Sequence, residues 1–338
     1  MTQHVDATAD RAAGALLASA CADALGAGYE FGPALSPDAA VGMIGGGPAG
    51  FAPGEWTDDT SMMIPIARAA ADGLDLRMAT ALDTIAAGLF DWLDGGPKDV
   101  GIQTGAVMRA AASRSAADLA IAAADHHRAN PERSAGNGSL MRTAPVALAH
   151  LLDPVAIADA ARRVSDLTHP DPVCAEACVL WSVAIGHAVV FGTFDGVREA
   201  LHLLPAGRAG FWSQRLSEAE ARPASSFSSN GWVVHALQAA WSAISRTPVP
   251  GDDPAGHLRL ALERAVRVGN DTDTVACIAG ALLGARWGAS AVPSEWVSIV
   301  HGWPGLTAPD LADLGVRALR HSAGAPEGQR SGEEAADE

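Results

Sequence analysis

The sequence predicts an all-α protein, and three observations carry that prediction. Alanine-rich stretches return their apolar residues every three or four positions, alternating Val/Ile/Thr runs are nearly missing, and Gly- and Pro-rich connections separate the periodic stretches. The first stretch, 11–25, is apolar nearly all round (Leu16, Leu17, Ala18, Ala20, Leu25), as a helix enclosed by others must be. Gly26 and Gly28 end it, and Tyr29-Glu30-Phe31 follows on a loop. Periodicity predicts further helices over 61–71, 78–93, 104–112, 115–124, 156–165, 172–190, 233–244, 258–268 and 275–287. The connections 42–54, 95–101 and 248–254 are rich in Gly and Pro, as loops joining helices on one body are. Residues 11–321 therefore read as a single domain, preceded by a flexible 1–10 and followed by a disordered acidic tail over 322–338.

With 338 residues and 49% hydrophobic content, the chain is long enough to bury a substantial core. Its 39 acidic against 23 basic residues give a formal charge of -16, which argues against a phosphate-backbone binder, so a nucleic acid enters only as a modified substrate. No signal-like segment opens the chain and no uncharged apolar run of membrane-spanning length follows, so the expectation is a cytoplasmic protein without a membrane partner. Cys21, Cys174, Cys178 and Cys277 are too few for a disulfide framework and read as buried thiols, and a monomer is expected.

Two acidic stretches stand out. In Trp56-Thr57-Asp58-Asp59-Thr60 a Thr and two carboxylates precede an apolar helical run, and in Asp271-Thr272-Asp273-Thr274 the same chemistry returns more than two hundred residues later. Either motif alone reads equally as a helix cap. Together they spend four carboxylates on two helix starts, where capping uses one side chain per helix. Four such charges brought together must take up protons or bind cations, and hard divalent ions such as Mg²⁺ or Mn²⁺ prefer all-oxygen ligand sets. A pair of them would orient and polarise an oxygen-rich substrate.

Further motifs flank the two acidic ones, from Gly14-Ala15-Leu16-Leu17 and Asp23-Ala24-Leu25-Gly26 through Tyr29-Glu30-Phe31 to the first acidic motif. Asp99-Val100-Gly101-Ile102-Gln103-Thr104, Gly136-Asn137-Gly138-Ser139-Leu140-Met141-Arg142 and Thr168-His169 come next, and the second acidic motif runs into Gly280-Ala281-Leu282-Leu283-Gly284. In this order, over positions 14–288, the motifs resemble the ADP-ribosylglycohydrolase family. The resemblance implies a compact orthogonal multi-helix fold with two Mg²⁺ or Mn²⁺ ions at the base of an ADP-ribose cleft. Carried over by position, Thr57, Asp58, Asp59, Asp271, Asp273 and Thr274 would be metal ligands, with Glu30, Asp58 and Asp273 taking part in catalysis.

The resemblance also assigns ligand binding. Ser134-Ala135-Gly136-Asn137-Gly138-Ser139 reads either as a plain turn or as a concavity of backbone N–H groups for a pyrophosphate, and the family position favours the second. Asp99, Gly101 and Thr104 would lie near the terminal ribose, and His169 near the phosphates. Arg142 reads either as a phosphate partner or, at least equally, as a lock on its loop through carbonyl contacts; Trp56 is expected to pack the metal loop, and His126, His127, His235 and His301 lack ligand spacing. The implied activity releases ADP-ribose from a modified protein or small molecule, ADP-ribosylarginine first; serine, nucleobase and O-acyl linkages are alternatives. A silent ADP-ribose-binding or structural relative and a two-metal hydrolase of another phosphate or glycoside are the competing classes.

Overall fold

The computed structural model describes residues 2–324 apart from positions 34 and 37. In chain order its helices are α1 (Thr2–Gly26), α2 (Asp58–Ala71), α3 (Ala79–Asp94), α4 (Ile102–Ala110) and α5 (Ala116–Ala129). Then come α6 (Ala144–Ala149), α7 (Pro154–Asp166), α8 (Pro172–Phe191), α9 (Gly196–Glu199) and α10 (Arg208–Ala221). The last five are α11 (Val233–Ser245), α12 (His257–Val266), α13 (Thr272–Trp287), α14 (Ser294–Val297) and α15 (Ala308–Gly324). The extended pairing that joins them to one sheet is minimal: His301–Gly302 runs antiparallel to Leu306–Thr307. The all-α expectation holds.

Helix starts follow the local chemistry. Asp153 accepts from the Val155 and Ala156 backbone N–H groups ahead of Pro154, and Asp171 accepts from the Val173 N–H ahead of Pro172. α8 has the length and composition of a membrane span, yet it is mostly buried among the other helices, and its Glu176 pairs with Arg208 and Trp212 Nε1. Of the helices that periodicity passed over (α6, α9, α10, α14 and α15), the two longest, α10 and α15, bury only narrow stripes, Trp212, Leu216 and Ala219 in one and Ala308, Leu311, Leu314 and Ala318 in the other. Their remaining faces are polar enough to mask the repeat. At the other end, α1 starts at Thr2, so residues 2–10 continue the helix rather than precede it. The tail expected to be disordered lies outside the described residues from position 325 onward.

The centre of the body is the pair α1 and α13, the most extensive helix contact in the molecule. Glycines bring the two backbones together: a Cβ on Gly284 would lie 2.0 Å from Gly14 O, one on Gly14 2.5 Å from Gly284 O, and one on Gly280 2.4 Å from Ala18 O. At the end of α1, a Cβ on Gly26 would lie 2.4 Å from Asp273 Cα. This close crossing sets the first turn of α13 against the last turn of α1. Gly284→Ala is therefore expected to destabilise the fold by about 3 kcal/mol, the upper end for overpacking, because the obstructing atoms are backbone. The exposed helical Gly210, around which an added Cβ meets nothing, serves as the control: Gly210→Ala should stabilise by about 0.5 kcal/mol or more in the same urea titration.

Candidate active site

Asp23, fully buried one turn before the end of α1, organises the start of α2. Its carboxylate accepts from the backbone N–H of Thr57 at 3.0 Å, from the N–H of Thr60 at 3.0 Å and from Thr60 Oγ1 at 2.6 Å. Thr57 Oγ1 accepts from the Asp59 N–H at 3.3 Å. The N–H groups of Thr57, Asp59 and Thr60 are thus met by Asp23 and Thr57, with neither Asp58 nor Asp59 acting as the cap. At α13 the Asp271 side chain makes no capping bond; it accepts instead from Asn137 Nδ2 at 2.8 Å. Capping does not account for these carboxylates.

The two acidic starts meet. Thr274 Oγ1 donates to Asp59 Oδ1 at 3.1 Å across 215 residues of sequence. Asp59 Oδ2 and Asp273 Oδ1 are buried oxygens without a hydrogen-bond partner. Oxygens of Glu30, Asp271 and Asp273 lie within 4.8 Å of one another. Glu30 reaches this cluster from the loop after α1, which is tied down by the Phe31 N–H donating to Asn270 O at 2.8 Å and by Tyr29 Oη donating to Gly42 O.

Crowding shows in the protonation of the group. Burial, then the charges of Asp271, Asp99 and Asp23, pushes the Glu30 carboxyl up to about 8. Burial and the neighbouring carboxylates likewise hold Asp58, Asp59 and Asp273 well above the usual carboxylate range and raise Asp271. Asp23 rises only to about 6, because its hydrogen bonds oppose the burial. Unpartnered buried oxygens and an all-oxygen donor set are the chemistry that hard divalent cations accept.

These residues floor a cleft of about 760 Å³. Asp99, Gly101, Thr104, Gly136, Asn137, Gly138 and His169 line it together with Glu30, Asp58, Asp59, Asp271, Asp273 and Thr274. Ser134 and Ser139, expected at the ligand, are instead fully buried away from the lining: Ser134 Oγ bonds His127 Nδ1, and Ser139 Oγ accepts from Ser165 Oγ at 2.9 Å. Their hydroxyls hold the loop's shape from behind. Thr57 Oγ1 accepts the Asp59 N–H as the α2 cap and keeps a second lone pair to offer.

Sequence reading passed over several lining residues: Phe31, Gln103, His126, Asn130, Arg133 and Gly231. His126 and Arg133 lie on and just after α5, where neither shows ligand spacing. Asp23 did leave a signal, the lone charged residue in the stretch 12–26 of α1. Asn230 left none; its Oδ1 accepts from the Asp271 N–H and its Nδ2 donates to Gly269 O.

An all-helical body around a carboxylate-floored cleft is the architecture of an enzyme, and the comparisons with known proteins say of which kind. The chain belongs to the ADP-ribosylglycohydrolase family, whose model matches residues 4–326. It is 30% identical over 302 residues to the ADP-ribosylarginine hydrolase Tri1 of Pseudomonas putida (strain GB-1), covering 86% of this chain and 74% of that one. It is 28% identical over 293 residues to the ADP-ribosyl-[dinitrogen reductase] glycohydrolase of Rhodospirillum rubrum, covering 86% and 90%. Among solved structures, an ADP-ribosylglycohydrolase-related protein complex superimposes with a TM-score of 0.69 at 24% identity, over 94% of this chain and 99% of that one. The protein is a hydrolase of glycosyl bonds.

Proposed function

We propose that the protein is a divalent-metal-dependent hydrolase that releases ADP-ribose from arginine side chains of modified proteins. The observation that carries the reading is the meeting of the two acidic helix starts, through Thr274 and Asp59, on the floor of a cleft that Glu30 also lines. A pyrophosphate-bearing ligand would be repelled by Glu30, Asp58, Asp59, Asp99, Asp271 and Asp273 unless cations stood between them. Thr57, Asp58, Asp59, Asp271, Asp273 and Thr274 would hold two Mg²⁺ or Mn²⁺ ions, which supply charge neutralisation and polarise the ribose hydroxyls when bound. The arginine acceptor rests on the likeness to the Pseudomonas relative.

Within that frame the chain's own residues divide the work. The loops around Gly101 and Gly136-Asn137-Gly138 offer backbone close to the ligand, and Asn137 fixes the rotamer of Asp271. Glu30 stands at the cluster with a carboxyl that readily holds a proton, suited to exchanging one as the glycosidic bond to nitrogen breaks and water adds at the anomeric carbon. Glu30→Gln should lower kcat by about 10²–10⁴ while calorimetry still registers ADP-ribose binding. Incubation with Mg²⁺ and arginine-, serine- or nucleobase-linked ADP-ribose tests the acceptor. Release from the arginine conjugate alone is the expected result. Binding of ADP-ribose without release from any conjugate would sink the hydrolytic reading. The four cysteines, all free and buried, suit a reducing compartment, and we place the protein in the cytoplasm as a monomer, to be checked by light scattering.

A further inference from the structure

One wall of the cleft rests on a chain of three buried side chains. Arg142, with no solvent exposure, donates from Nη2 to Thr168 Oγ1 at 2.7 Å, while its Nε and Nη1 have no partner. Thr168 Oγ1 in turn lies 2.8 Å from His169 Nδ1. A guanidinium can only donate, so the Thr168 oxygen is the acceptor of the first bond. Its own proton then has His169 Nδ1 as the acceptor within reach, which leaves the ring's single proton on Nε2.

The far side of the ring opens on the ligand space. Nε2 has no hydrogen-bond partner among the described residues, and His169 lines the cleft beside Gly136 and Gly138. A Cβ on Gly138 would lie 3.0 Å from His169 Cε1 and 3.1 Å from Nε2, and one on Gly136 3.5 Å from Nε2. Glycine at both positions leaves the N–H uncovered. Burial, then the charges of Arg142 and His126, lowers the ring to about 3, so it stays neutral. Gln103 closes the arrangement by donating to the Thr168 carbonyl at 3.0 Å.

We infer that Arg142 and Thr168 are positioning residues that lock His169 as a neutral Nε2–H donor to an oxygen of the bound ADP-ribose. The inference deepens the proposed function and rests on it for the ligand, but the locked tautomer is a property of the protein alone. A charged imidazolium would hold any anion; a single directed N–H selects one acceptor oxygen at one place, and so sets how far along the cleft the ligand sits.

Long-range ¹H–¹⁵N correlation on the histidine-labelled, metal-free protein reads the tautomer directly, with His169 assigned by its loss in His169→Gln. The expected spectrum shows Nε2–H only, unchanged between about pH 5.5 and 8. Thr168→Val should mix the tautomers and raise KM about tenfold, the loss of one hydrogen bond, with a smaller effect on kcat. Thr168→Ser should restore both. A wild-type ring protonated on Nδ1, or a Thr168→Val protein with unchanged tautomer and KM, would overturn the inference. If Thr168→Val does not fold, the wild-type spectrum and the Thr168→Ser kinetics still decide it. Failure of turnover alone would instead count against the proposed reaction, since the spectrum needs no substrate.

Discussion

Asp273→Asn is expected to remove turnover and, in the absence of metal, to make the protein more stable. Asp273 is buried at the start of α13, with Oδ1 unpartnered and its carboxyl raised by burial and by the charges of Asp271, Glu30, Asp23 and Asp58. Asparagine keeps the shape and removes a carboxyl whose ionisation is costly among its neighbours, although its amide is left short of partners. The relief should raise the metal-free Tm at pH 8 by about 3 °C or more. The same charge is what a cation would need, so kcat/KM should drop by about 10³ or more, and the calorimetric signal for Mg²⁺ should vanish. Identical Mg²⁺ isotherms for wild type and variant would remove Asp273 from the centre. A variant that merely unfolds would show the opposite sign in Tm, which separates a structural role from the one assigned here.

The second large effect is a pH dependence that metal reverses. Glu30 is raised from an ordinary value near 4.5 to about 8, and the buried Asp23 from near 3.8 to about 6. A carboxyl raised on folding keeps its proton longer in the native state than in the unfolded chain. Its stabilisation is complete below the unfolded value and is lost as the pH climbs through the folded one. The metal-free protein should therefore weaken steadily from about pH 4 to about pH 8, by roughly 5 °C in Tm or more. Divalent cations neutralise the ionised carboxylates, so the increase in Tm on adding Mg²⁺ should be small at pH 5 and large at pH 8. Scanning calorimetry with chelator and with Mg²⁺ at the two values checks it, and a Mg²⁺ effect independent of pH would contradict the charge argument.

How far the sequence carried is clearest at individual residues. The repeat of apolar positions in α1 and α13 was visible because both helices are enclosed, and enclosure leaves its mark in composition. α10 and α15 escaped because a helix that rests one narrow stripe on the body looks polar overall. The two Asp/Thr motifs were legible as chemistry, but only the chain's path could bring Thr274 to Asp59. Ser134 and Ser139 show the limit from the other side: adjacent residues of one loop divide between the ligand face and the interior, and loop sequence does not record which way a hydroxyl turns. His126 shows it again, a residue made part of the cleft by the neighbour its helix packs against.

The crossing of α1 with α13 also dictates when the site can exist. Asp23 and Glu30 come from the first thirty positions and Asp271 and Asp273 from beyond 270, so the whole intervening chain must be made before the charges meet. During synthesis the early helices have no α13 to lie against, and their glycine-notched face waits for it. Pairing across so many residues carries a large loop-closure cost, which the contacts of the two helices must outweigh. A chain halted short of α13 would lack Asp271, Asp273 and Thr274 and could not form the cluster.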